Sequence, residues 1–127
     1  MILPHKAFLR GAIVALALTG LAQAAGDPGK GNQIFDARCK ACHSLEPGKH
    51  KIGPTLHGVF GRKAGSLADY NYSSAMKAAN LSWNEETLRQ YLADPHKFVP
   101  GDKMMFPGIK NEAQLDDLIA YLKEATQ

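Results

Sequence analysis

The stretch "CKACHS", residues 39 to 44, holds both cysteines of this 127-residue chain, Cys39 and Cys42, with His43 directly behind the second. It constrains the fold more than any other feature, because the thiol chemistries that compete for this spacing each demand a different surrounding. A thioredoxin-like redox pair needs a βαβ context, and no stretch shows the sustained period-two alternation of a strand. A zinc site needs further ligands; His50 and His57 are available, but there is no second cysteine pair. A disulfide between Cys39 and Cys42 would close only a tiny loop and constrain the unfolded chain little. What remains is c-type haem attachment, whose signature is C-x-x-C-H. On a helical turn positions i and i+3 share a face. Both thiols then reach the two vinyl groups along one porphyrin edge, and His43 projects its imidazole toward the iron.

The first stretch of the chain has a different composition. A short basic segment with Lys6 and Arg10 precedes an apolar run from Gly11 to Leu21 and the triplet Ala22-Gln23-Ala24. This order predicts a secretory signal peptide over residues 1–24, cleaved near Ala24/Ala25. The run is about half the roughly 20 apolar residues that a spanning helix needs, so no stable membrane insertion is expected after cleavage. The 127 residues less the first 24 leave residues 25–127 as one domain, with 13 basic against 12 acidic side chains. That balance is too even to imply a nucleic-acid partner from charge alone, and none is expected. Export implies a compartment in which two lone cysteines do not stay free thiols.

The mature chain reads as all-α. A first helix is expected from about Lys30 to Cys42, and a short turn around Ser73 to Ala79. A third helix follows "SWNEE", where Ser82 and Glu85 have capping-box spacing, and ends at Asp94 before Pro95. A last helix is expected from about Glu112 to Ala125, with Asn111 as N-cap and Leu115, Leu118, Ile119 and Leu122 forming one apolar stripe. Gly31 would let that helix approach the first closely. The loop "EPGKHKIGPTLHGVFGRKAG" is long for so small a domain, which is reasonable if it wraps something large.

A haem iron with histidine on one side needs either an open position or a second protein ligand on the other. "FVPGDKMMFPGIK" offers Met104 and Met105 in a loop bounded by Gly and Pro. Two successive methionines in a polar, turn-rich segment exceed what core packing asks of methionine. One binds iron and the other packs, and spacing alone does not choose between them.

With these residues in hand, residues 25–127 resemble a class I cytochrome c, of the soluble bacterial type closely similar to the mitochondrial protein. The resemblance rests on "CKACHS", "HKIGPTLHGVFGRKAG", "NYSSAM", "LSWNEETLRQYLADP", "VPGDKMMF" and "DLIAYLKEAT", in the family's order. It implies three main helices plus short helical turns and long loops wrapped around one haem c, attached covalently through Cys39 and Cys42. It implies His43 and Met104 as iron ligands, Met104 because it follows the Lys of the family's PG-x-KM motif. The Pro54 carbonyl is implied to accept from the non-ligating nitrogen of His43. Arg62, Tyr72 and Trp83 match the residues that hold the haem propionates, and the Tyr91 hydroxyl is implied to lie near the methionine sulfur. Two positions depart from the pattern. Asp102 stands where a small hydroxyl residue is usual, implying a lost hydrogen bond or repulsion near the inner propionate. Met76 replaces an amide, making the surroundings of Tyr91 less wet. His50 falls in the loop closing over the ligating histidine, and His57 and His96 read as surface histidines.

Met/His ligation leaves no position for substrate and raises the potential of the iron. The implied function is a one-electron carrier of the periplasm, a monomer and not an enzyme, serving membrane-bound or periplasmic redox complexes. The alternative is a haem enzyme or sensor with a labile methionine, against which Pro100 and Pro107 stiffen the loop. Fast exchange of partners favours charge steering. Arg38, Lys51, Lys97, Lys103 and Lys110 are expected to ring the haem edge as a docking face, with Glu85, Glu86, Asp116, Asp117 and Glu124 facing elsewhere.

Overall fold

Asp27 starts the first helix. Its carboxylate accepts from the backbone N–H groups of Gly29 (2.8 Å) and Lys30 (3.2 Å), and Pro28 follows at the first helical position, where its missing N–H costs nothing. The structure is a computed structural model, and it describes Gly11 and residues 26–127. The expected export segment and its cleavage point lie outside the described residues. Helix α1 spans Pro28–Arg38, two residues earlier at its start than the sequence pattern suggests and four shorter at its end.

The remaining helices are α2, Ser74–Ala78; α3, Glu85–Ala93; α4, Pro95–Phe98; and α5, Glu112–Ala125. Among the described residues no strand forms; Lys63 and Ser82 pair as an isolated antiparallel bridge. The fold is all-α, with three main helices, two short ones and long loops. The Ser82–Glu85 capping box is not used. Asn84 caps α3 instead: its Oδ1 accepts from the N–H of Thr87 at 2.9 Å, and Thr87 Oγ1 accepts from the N–H of Asn84 at 2.9 Å. The helix ends at Asp94, as the following proline requires. Asp94 then caps α4, a turn not foreseen from the sequence. Asn111 caps α5 by accepting from the N–H of Gln114 at 3.0 Å.

Helices α1 and α5 cross backbone on backbone. A Cβ on Gly31 would fall 2.0 Å from the carbonyl oxygen of Asp117 and 2.7 Å from Tyr121 Cβ. The Phe35 ring packs beside Tyr121, centroids 5.5 Å apart. Leu115, Leu118, Ile119 and Leu122 are all buried, so the predicted stripe is the core face of α5. The interior forms two apolar clusters. One gathers Phe35, Phe106, Ile109 and the leucines of α5; the other gathers Trp83, Leu88, Tyr91, Val99 and Met76. Phe60, Leu92 and Met104 pack against both. A cavity of about 450 Å³ is lined by residues of both clusters, by the Cys39–His43 turn and by the loop around Met104.

Candidate functional site

One wall of the cavity is the Cys39–His43 turn. The α-helix stops at Arg38, but the chain keeps winding: the N–H groups of Cys39 and Lys40 both donate to the Phe35 carbonyl, and that of His43 donates to the Cys39 carbonyl at 2.9 Å. Both thiols line the cavity on this turn. Burial pushes the Cys39 thiol up to about 11, with Arg38 opposing the rise and Cys42 adding to it. A thiol so raised is the opposite of the low-pKa cysteine that a redox pair uses. Among the described residues no three His, Cys, Asp or Glu side chains converge as a metal-binding group, so a zinc site lacks its ligands.

The ring of His43 is fixed by main chain. Gly53 N–H donates to the Cys42 carbonyl at 2.8 Å, and a Cβ on Gly53 would lie 2.3 Å from His43 Cε1. His43 Nδ1 lies 2.8 Å from the carbonyl oxygen of Pro54. With Nδ1–H donating there, Nε2 keeps a lone pair for a metal. Burial lowers the His43 pKa; the Pro54 carbonyl opposes this, and Arg62 and Lys51 add to it. His50 clips the same loop, accepting from the N–H of Thr55 at 3.1 Å through Nδ1 and lying 2.9 Å from Asp69 through Nε2.

Side chains build the facing region. Met104 and Met105 both line the cavity, but Met105 is 99 % exposed, so the expectation that the second methionine packs does not hold. Tyr91 Oη is 3.9 Å from Met104 Sδ and donates to Asp102 Oδ2 at 2.6 Å. The Asp102 side chain is only 1 % exposed, and its other oxygen lies 2.7 Å from His96 Nδ1. Burial first, then the Asp102 carboxylate, push the Tyr91 phenol far above its ordinary range, so it keeps its proton. Trp83 packs on Tyr91 with ring centroids 5.0 Å apart.

Arg62, Tyr72 and Trp83 all line the cavity. The Arg62 guanidinium donates to the carbonyls of His57 (3.1 Å) and Thr55 (2.9 Å), and the Tyr72 hydroxyl accepts from the N–H of Leu67 at 3.4 Å. Of the five basic residues singled out, Arg38 and Lys103 line the cavity. Lys51 adjoins it and donates to the Lys40 carbonyl at 2.9 Å. Lys97 and Lys110 instead border a second depression with Arg89 and Leu115. Glu85 pairs with Lys123 and Asp116 with Arg89, and neither acid lines the cavity. Sequence reasoning missed Gly53, whose position between the motif and Pro54 was the available signal. His96 is the surface histidine expected, its side chain 54 % exposed, and no local pattern announces its approach to Asp102.

Two thiols on one turn, an imidazole with a free nitrogen, a thioether and an apolar lining are the donor set that a covalently held haem requires. A model of the cytochrome c family matches residues 29–126. The chain belongs to the cytochrome c family. It is 48 % identical to cytochrome c of Ginkgo biloba over 102 residues, which cover 80 % of this chain and 90 % of that one. It is 49 % identical to cytochrome c of Gibberella zeae over 105 residues, covering 82 % and 99 %. Among solved structures, cytochrome cH from Methylobacterium extorquens superimposes with a TM-score of 0.72 at 52 % identity, covering 78 % of this chain and 99 % of that one. Membership of the cytochrome c family makes this chain a haem electron carrier rather than an enzyme, and the family's covalently bound haem c corresponds to the Cys39 and Cys42 spacing. Among the described residues no helix is long and apolar enough to cross a membrane.

Proposed function

We propose that this cytochrome c is an exported, monomeric shuttle that carries single electrons between membrane-bound or periplasmic redox complexes, after removal of residues 1–24. Cys39 and Cys42 hold the haem through two thioether bonds, and His43 and Met104 ligate its iron. The bound haem supplies reversible one-electron storage at the iron. The observation that carries this reading is the His43 ring, pinned between Gly53 and the Pro54 carbonyl with Nε2 left basic, in a cavity that Met104 also lines. Pro54 fixes the His43 tautomer. Arg62, Tyr72 and Trp83 meet the propionates, with buried donors suited to poorly solvated carboxylates. Tyr91 borders the methionine sulfur.

The apolar lining excludes water and lowers the local dielectric, which favours the less charged state of the iron it encloses. Arg38, Lys51 and Lys103 form the cationic front at the cavity mouth, and Lys97 and Lys110, which border the separate depression beside Arg89, are not part of it. Transfer to an acidic partner falls as ionic strength rises; a flat response removes the steering role of these cations. Ligation is tested on the purified exported protein. Its mass should exceed the processed polypeptide by one haem, and its ferric form should show sulfur-to-iron absorption. Met104→Ala abolishes that absorption and Met105→Ala leaves it. The reverse pattern would move the ligand to Met105.

A further inference from the structure

We infer that Asp102 is the positioning residue of the Met104 region: its carboxylate draws the single hydroxyl proton of Tyr91 away from the Met104 sulfur, leaving the sulfur lone pairs free for iron. The inference rests on the proposed Met104 ligation. A tyrosine hydroxyl has one proton to donate, and a thioether is a weak acceptor beside a carboxylate oxygen. The geometry follows that preference, with Tyr91 Oη 2.6 Å from Asp102 Oδ2 and 3.9 Å from Met104 Sδ.

Two further contacts keep the carboxylate in place. His96 Nδ1 lies 2.7 Å from the second oxygen, so its ring stands against that side of the carboxylate and blocks its rotation. The Asp102 N–H donates to the Val99 carbonyl at 3.0 Å, which fixes the backbone from which the side chain projects. With the side chain 1 % exposed, bulk water competes little for the oxygen that takes the Tyr91 proton. Asp102 therefore joins three segments at one point: Tyr91 from α3, His96 from α4, and the loop that carries Met104. Without an acceptor at position 102, the Tyr91 proton has the sulfur as its nearest remaining partner, and each lone pair it occupies weakens the sulfur as a ligand.

The test uses the ferric haem-loaded protein and follows displacement of the sulfur ligand by added imidazole through loss of the sulfur-to-iron absorption. Asp102→Leu removes the acceptor at similar volume and should speed displacement on the order of fivefold, the weight of one hydrogen bond. Asp102→Asn keeps an oxygen for Tyr91 and should stay within about twofold of the parent. In a Tyr91→Phe background no proton competes, so Asp102→Leu should add nothing. Equal acceleration with Tyr91 and with Phe at position 91 would mean that Asp102 acts through packing, and would overturn the inference. Should Asp102→Leu fail to mature, the Tyr91 hydroxyl proton decides in the proton resonance spectrum of the ferrous protein. It should lie downfield in the parent and move upfield in Asp102→Asn, where the acceptor loses its charge; an unmoved resonance overturns the inference. A parent without sulfur-to-iron absorption would overturn the ligation reading and this inference with it. A parent with that absorption and an unchanged Asp102→Leu rate would overturn this inference alone.

Discussion

The two regions that flank the cavity are held by different parts of the chain. Around His43 the constraints are main chain: the Gly53 N–H to the Cys42 carbonyl, the Leu56 N–H to the Ser44 carbonyl at 2.9 Å, and the Pro54 carbonyl at the imidazole. Around Met104 the constraints are side chains, Tyr91, Asp102 and His96, on a loop whose backbone is pinned at few points. A main-chain frame asks only that certain positions stay small or cyclic. A side-chain frame depends on which acids, hydroxyls and imidazoles happen to meet, and so can be retuned one residue at a time. The histidine region sets whether the site forms, and the methionine region sets how it behaves.

The sharpest way to break this contrast is Gly53→Ala. The new methyl would sit 2.3 Å from His43 Cε1, with the loop backbone tied behind it and no flexible side chain able to yield. Overpacking of this kind costs about 3 kcal/mol. It should show as a lower midpoint in denaturant unfolding together with a lower yield of haem-loaded protein. Unchanged unfolding would mean that the loop rides away from the ring, and that main chain does not fix His43.

Next in size is His96→Ala on the methionine side. Removing the imidazole takes away the ring nitrogen 2.7 Å from the buried Asp102 Oδ1, at a cost of about 1 kcal/mol. Denaturant unfolding at neutral pH measures it. A loss below about 0.5 kcal/mol would mean that water takes the place of the exposed imidazole, and the side-chain frame would then end at Tyr91.

The same division explains what could be read before the structure. The CKACH turn, the α5 stripe and the Gly31 crossing were legible because each follows from spacing or from the absence of a side chain, both visible in sequence. The cap of α3 was misplaced by two residues. Ser82 pairs with Lys63 instead, and its carbonyl takes the Thr87 hydroxyl at 2.8 Å, so Asn84 is left to cap. The start of α1 was hidden because Asp27 and Pro28 sit beside the expected cleavage point. Asp102 and His96 were the least legible. A nearly fully buried aspartate runs against the usual preference of acids for solvent, and its partners come together only when the turn at Val99–Asp102 brings the following loop back against α3 and α4. The expectation for Asp102 was a lost hydrogen bond or repulsion near the inner propionate; the contacts to the Tyr91 hydroxyl and the His96 ring were not foreseen.

The smallest effect tests a side-chain clip on the histidine side. The hydrogen bond from His50 is the main cause that holds the Asp69 carboxyl below its ordinary pKa, with its own backbone helping and slight burial opposing. A carboxyl with a lower pKa folded than unfolded contributes its stability in full above the ordinary carboxylate range, and loses it as pH falls through the depressed folded value. Asp69→Asn removes that contribution, so stability of the variant should fall less steeply than the parent's between roughly pH 5 and pH 2, with the two curves converging at the acid end. Because Asp69 is open to solvent, the gap at neutral pH should be small and should shrink with added salt. Parallel curves would mean that the pair is only a contact of convenience, and that the loop over His43 is held without it. A large neutral-pH loss would instead make His50 a true counterpart of His96, and the two regions would be less different than their bonding suggests.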